Sequence, residues 1–324
     1  MKIAITGASG HIGSNLCKVL IEAGHDVTAL IHTHNKGIEN LNLHLLKGDL
    51  FDVDSLKKLV DGAEIVFHLA ASIAIYKRDP LAYKINVQGT KNILNAIQGT
   101  SVRRFIHFSS IHAFRHEPFN EELNESRPLD IDSVFDYNRS KAIAAKMVLQ
   151  ANGKNIETLV LSPTAVIGPY DFAPSLLANA IIRFYKGKTP ALVPGGYDWV
   201  DVRDICFACI NAMDKGQPGI NYILNGHWKS LKEMAGIIHE LGGAKPPFIT
   251  IPSALARASA PILNIYSSLR KQMPLYTNVT LDAVSHSHKN ISGNKAIKEL
   301  GYRSRPFKES MSDTIKWLKN EHFI

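Results

Sequence analysis

Cysteine is nearly absent: Cys17, Cys206 and Cys209 are the only three among 324 residues. They are too few and too irregularly spaced for a disulfide framework, which points to a reducing, cytoplasmic setting. Cys206 and Cys209 have Cys-x-x-Cys spacing without a second ligand pair and fall in an apolar, helix-like stretch, so they read as core residues and no metal is expected. No apolar run reaches the ~18 residues of a membrane span. The net charge of +8 is scattered with no dense basic block, which argues against nucleic acid; it fits an anionic ligand, and a solvated basic surface explains most of it. Internal repeats and low-complexity linkers are missing too. The first residues already read as a buried strand, which leaves no room for a secretory leader.

What the chain has begins at once. Met1 to Thr6 is a short apolar run, and Gly7-Ala8-Ser9-Gly10-His11-Ile12-Gly13 opens a stretch with helical spacing of Leu16, Val19, Leu20 and Ala23. A strand that turns through glycines into a helix brings backbone N–H groups and the positive end of the helix to one place, which suits a dinucleotide pyrophosphate. Further strands are expected at 26–31, 43–46, 65–69, 103–108 and 156–161, alternating with helices at 52–59, 80–97 and 137–150. That alternation requires a mainly parallel α/β sheet, doubly wound, with helices on both faces.

Beyond Pro163 the rhythm breaks at Gly168-Pro169, Pro174, Pro190, Pro194-Gly195-Gly196 and Pro218-Gly219, which suggests a smaller second lobe interleaved with the sheet. The expected division assigns 1–167 with 198–226 to dinucleotide binding, and 168–197 with 227–324 to a substrate lobe. A helix over 205–213, a strand over 221–224 at the sheet edge and a Ser230-capped helix through Leu241 complete the reading. The apolar stretch 252–269 reads equally as a cavity wall, a partner-facing surface or a buried helix pair.

Tyr137 and Lys141 are four apart, and on a helix they share a face. An ammonium beside a phenol stabilises the phenolate and draws its pKa toward the working range. Ser109 and Ser110 follow a strand at the carboxyl edge of the sheet, where open α/β folds bind ligands. Asn86, on the preceding helix, is placed to hold a water or fix nearby backbone.

With these pieces the chain resembles the extended short-chain dehydrogenase/reductases, a Rossmann-like family, and within it the dihydroflavonol-reductase-like branch. The matching residues are Thr6 to Gly13, Gly48-Asp49-Leu50, His68-Leu69-Ala70-Ala71, Asn86-Val87-Gln88-Gly89-Thr90, Phe108-Ser109-Ser110, Tyr137 with Lys141, and Ser162 to Pro169. Trp199 to Asp204, Glu299 to Tyr302 and Trp317 extend the likeness to nearly the whole chain. The resemblance implies that Tyr137 is the acid/base, Lys141 its modulator and a ribose ligand, Ser110 the group orienting the substrate oxygen, and Asn86 the fourth member. It also implies that Gly7, Ser9, Gly10, His11, Ile12 and Gly13 surround the pyrophosphate. Asp49 and Leu50 would flank the adenine, Leu69, Ala70 and Ala71 the middle of the cofactor, and Pro163, Thr164 and Val166 the nicotinamide.

A carboxylate at the end of the second strand grips the ribose diol of NAD, whereas a cation accepts the phosphate of NADP. This chain has no acid there, but His32, Thr33, His34 and Lys36, so NADP(H) is favoured over NAD(H). The expected reaction is interconversion of a carbonyl and an alcohol, with His112, Phe114, Tyr170, Phe172 and Tyr197 as candidate substrate-lining residues. A nucleotide-sugar epimerase or dehydratase is the alternative. It is weakened by Tyr197, where such enzymes often carry an arginine, and by Ile111-His112 after Ser110 in place of Asp-Glu; Arg183, Arg203, Arg257 or Arg270 remain candidates for a phosphate contact. A non-catalytic dinucleotide sensor is the third reading, and retention of Tyr137 and Lys141 counts against it. A homodimer is compatible with the family.

Overall fold

The computed structural model describes residues 1–73, 77–153, 155–258 and 277–324. Seven strands form the main sheet: β1 (Lys2–Thr6), β2 (Asp26–Ile31), β3 (His44–Lys47), β4 (Ile65–His68), β5 (Arg104–Phe108), β6 (Glu157–Pro163) and β9 (Asn221–Leu224). Their order is β3-β2-β1-β4-β5-β6-β9 and every pairing is parallel. The direction of winding reverses between β1 and β4, so the carboxyl ends of those two strands border a crevice.

Period-two alternation divides the side chains between the two faces. Ile3, Ile5, Phe67, Ile106 and Leu161 pack with α1 (His11–Glu22) and α6 (Val202–Ala212). Ala4, Val66, Phe105 and Val160 pack on the other face against α2 (Val53–Val60), α3 (Pro80–Ala96) and α4 (Asp136–Gln150). Local chemistry sets the helix starts. Asp52 accepts from the Asp54 N–H and Asp79 from that of Ala82, with Pro80 in the first turn of α3, so otherwise orphaned donors are satisfied. Cys206 and Cys209 are buried in α6 as free thiols, pushed above their ordinary pKa by burial.

The stretch between β6 and β10 holds elements that the sequence did not reveal. β7 (Ala165–Ile167), β8 (Gly196–Asp201) and β10 (His227–Ser230) form a second sheet in the order β10-β8-β7. Around it pack α5 (Leu176–Tyr185), α7 (Leu231–Glu240), α8 (Asn278–Ser285) and α10 (Phe307–Asn320), with Trp199, Met234, Leu281 and Met311 among the buried residues. Ser230 and Glu233 close a reciprocal capping box at α7. Asp198 joins the two sheets, accepting from the Thr164 hydroxyl at 2.7 Å and the Gly226 N–H at 2.6 Å. The apolar run 252–269 lies largely outside the described residues, as does Arg270. No helix among the described residues is long and apolar enough to cross a membrane.

Candidate active site

The glycine turn sits where β1 runs into α1. Gly7 has φ of +75° and a Cβ there would lie 2.5 Å from the Ala70 backbone nitrogen; at Gly13 it would lie 2.2 Å from the Gly7 carbonyl oxygen. A side chain at either position would force the backbone apart. Beside the turn is a cavity of about 360 Å³ whose lining includes Gly7, Ser9, Gly10, Asp49, Leu50, Leu69, Ala70 and Ala71. A dinucleotide fits this donor set: a glycine cradle, a helix N-terminus and a partly apolar slot.

The rim of that cavity also carries His32, Thr33 and His34. The His32 Nε2 lies 3.0 Å from the Asp49 carboxylate and its Nδ1 lies 3.0 Å from the Thr33 hydroxyl. The Lys36 ammonium is over the Phe323 ring, 5.8 Å from the centroid, and outside the cavity lining. His34, with the same expected role, takes the rim position. The His11 Nε2 is 3.1 Å from the Pro169 carbonyl oxygen. Asn15 donates to the same oxygen at 3.1 Å. Ile12 packs on the core, and the Thr164 hydroxyl is committed to Asp198.

A buried polar chain supports the turn from below. The Thr6 Oγ1 and His68 Nδ1 are 2.6 Å apart, His68 Nε2 and Thr90 Oγ1 are 3.1 Å apart, and Thr90 donates to the Asn86 carbonyl at 2.7 Å. Burial lowers the His68 pKa to about 3, so the ring is neutral and can accept from Thr6 while donating to Thr90. The sequence contained His68 within a matching motif, but nothing local gives it this role.

Four expected residues converge at the carboxyl ends of β4 and β5. Tyr137 and Lys141 lie in the first turns of α4, and Ser110 caps a single 3-10 turn, Ile111–Ala113, after β5. Ser110 hydrogen-bonds the Tyr137 phenol. Lys141 is buried and donates to the Phe108 carbonyl at 2.8 Å, and burial lowers its pKa to about 8. Burial pushes the Tyr137 pKa up while Ser110 opposes that shift. This corrects the expectation that Lys141 draws it down: the ammonium is engaged by a backbone carbonyl, and desolvation of the phenolate dominates. Asn86 braces backbone, accepting from the Ser72 N–H at 2.8 Å and donating to the Ser72 carbonyl and Ser140 hydroxyl, each at 3.0 Å. Asp136, absent from the sequence-based set, fixes the start of α4 by accepting from the Asp79 N–H at 2.7 Å and from Arg139 at 2.6 Å.

The five substrate-lining candidates fall in different surroundings. Phe114 is 2% exposed in a cluster with Ile111, Leu123 and Ile223, so it is core. Tyr170 and Phe172 are bound up with Trp317, at ring separations of 6.4 and 5.4 Å, and Lys18 donates to the Tyr170 hydroxyl at 3.2 Å. Tyr197 packs edge-on against Trp199. His112 alone of the five meets the catalytic group, with its ring centroid 6.3 Å from that of Tyr137.

The profile of the NAD dependent epimerase/dehydratase family matches residues 3–224, and the chain belongs to that family. It is an NAD(P)-dependent enzyme of the reductase/dehydrogenase type, in keeping with curated relatives. Sterol demethylase protein B of Methylococcus capsulatus is 28% identical, with 100% of both chains covered. A putative dihydroflavonol 4-reductase of Synechocystis is 28% identical over 99% of this chain and 95% of that protein. The 4-hydroxy-2-methyl-3-oxo-4-farnesyl-3,4-dihydroquinoline-1-oxide ketoreductase of Stigmatella aurantiaca is 27% identical over 98% and 96%.

Proposed function

We propose that this chain is an NADP(H)-dependent reductase interconverting a ketone or aldehyde and its alcohol, on a lipophilic substrate with a second oxygen near the carbonyl. The pairing of the Ser110 and Tyr137 hydroxyls beside buried Lys141 carries the reading. Ser110 and Tyr137 hold the carbonyl oxygen. Tyr137, whose raised pKa keeps it protonated, delivers its proton to that oxygen, and Ser110 is the neighbour that favours the phenolate left behind. When bound, the nicotinamide supplies the hydride. The Stigmatella relative's name specifies a farnesyl group and a hydroxyl beside a ketone, and the Methylococcus relative's name specifies a sterol; both support the substrate class. Two of the candidate phosphate clamps for a sugar-nucleotide role are already engaged: Arg203 pairs with Asp201 and Asp313, and Arg257 with Asp282. Arg183 keeps a buried Nε without a partner. NADPH consumption with a panel of lipophilic ketones and aldehydes tests the reading; interconversion of a UDP-sugar without net NADPH consumption would overturn it.

Cofactor choice and pH dependence are separately measurable. The strand-end position that would carry an NAD-selecting acid is His32, so His32→Glu is expected to lower the NADPH/NADH ratio of kcat/KM about tenfold or more. An unchanged ratio would remove His32 from phosphate recognition. The Lys141 ammonium exists below pH about 8 and loses its proton above it. The kcat/KM for NADPH, which reports the free enzyme, is therefore expected to fall above about pH 8. Lys141→Arg should move that limb upward, since a guanidinium stays charged. A profile flat to about pH 10 would show that the charge is not needed.

A further inference from the structure

His112 lies two residues past Ser110, and its backbone N–H donates to the Ser110 hydroxyl oxygen at 3.2 Å. Its imidazole lies flat on that of His116, with centroids 5.6 Å apart and planes 4° apart, and meets the Tyr137 ring at 65°. Three neighbouring imidazoles of this region show what distinguishes it. His68 uses both nitrogens on threonine hydroxyls. His116 turns Nε2 to the Ile111 carbonyl at 3.2 Å. Both His107 nitrogens are sealed in the core without a partner. Neither ring nitrogen of His112 has a hydrogen-bond partner among the described residues, and the residue as a whole is half-buried.

Burial and the facing His116 hold the His112 pKa down to about 3. The ring is therefore neutral at any working pH and offers one donor and one acceptor. A charged ring would bind carboxylates indiscriminately, whereas this one suits a hydroxyl or carbonyl. The stack on His116 fixes its orientation in advance, so little rotamer freedom is lost on binding.

We propose that His112 is the specificity-determining residue of the site, hydrogen-bonding a second oxygen of the substrate one or two carbons from the carbonyl held by Ser110 and Tyr137. This deepens the reductase reading and rests on it. A substrate lacking that oxygen leaves the imidazole desolvated and unpaired, which is a larger penalty than a lost hydrogen bond in water.

Ethyl 3-oxododecanoate and 3-dodecanone, which share the nonyl ketone and differ by an ethyl ester group in place of a methyl, form the test pair. The native enzyme is expected to favour the keto ester in kcat/KM by about tenfold or more. His112→Leu should erase that preference by lowering the keto-ester value about tenfold, with 3-dodecanone changed less than about threefold. His112→Gln, which keeps a donor and an acceptor, should retain most of it. NADPH titration by fluorescence confirms that each variant is folded and loaded. Equal losses on both ketones, or no loss on either, would overturn the role of His112 while leaving the reductase reading intact. Turnover of neither ketone by native enzyme that binds NADPH would overturn the reductase reading and this inference with it.

Discussion

Tyr137→Phe is expected to lower kcat for ketone reduction by about 10³-fold while leaving NADPH affinity within about threefold. The substitution deletes one hydroxyl and keeps the ring that faces His112 and fills the first turn of α4. What disappears is the proton that must reach the alkoxide, together with the Ser110 hydrogen bond. Ser110 cannot substitute, because a serine hydroxyl is a far weaker acid than a phenol and it has no base to restore it. Single-turnover kinetics with pre-bound NADPH measure the chemical step directly. A loss under about tenfold would mean that the proton arrives from elsewhere, and Tyr137 would lose its role.

Gly13→Ala is expected to weaken NADPH binding about 100-fold, with a smaller loss of thermal stability. The added methyl would collide with the Gly7 carbonyl at 2.2 Å and with the Ala8 backbone at 2.8 Å. Backbone cannot rotate aside as a side chain can, so the turn itself must open. The N–H groups of the turn, proposed here as the pyrophosphate donors, then move apart. Gly10→Ala is the control: its Cβ meets only the Gly7 oxygen, at 3.3 Å, so a few tenths of an ångström relieve it and binding should fall by less than about fivefold. Fluorescence titration and thermal melts distinguish the two effects. Equal affinities for both variants would show that the turn is not under steric control.

Much of this was legible in the chain because parallel strands announce themselves. The strands β1, β4 and β5 are short apolar runs that lead on to α1, α3 and α4, and the glycine turn and Ser110 follow directly on β1 and β5. The Tyr137–Lys141 spacing could be read because a helix converts sequence distance into a shared face. The small sheet was not legible: β7 has three residues and β10 four, and β8 pairs with partners about thirty residues away on either side. The surroundings of the lining candidates were hidden for a related reason. Phe114, Tyr170 and Phe172 lie in loops, where aromatic character marks burial as readily as ligand contact and only tertiary packing decides. The environment of Tyr137 was equally hidden, since spacing shows a neighbouring amine but not the carbonyl of Phe108 that occupies it.

The Pro169 carbonyl, held by both His11 and Asn15, makes the nucleotide seat and the loop leading to the smaller lobe a single mechanical part. Engineering a roomier substrate chamber by displacing residues 169–171 would therefore slacken the phosphate grip as well. Redesign for new carbonyl compounds is better directed at His112 and the turn that carries it, where the floor can be recut without disturbing the hinge post.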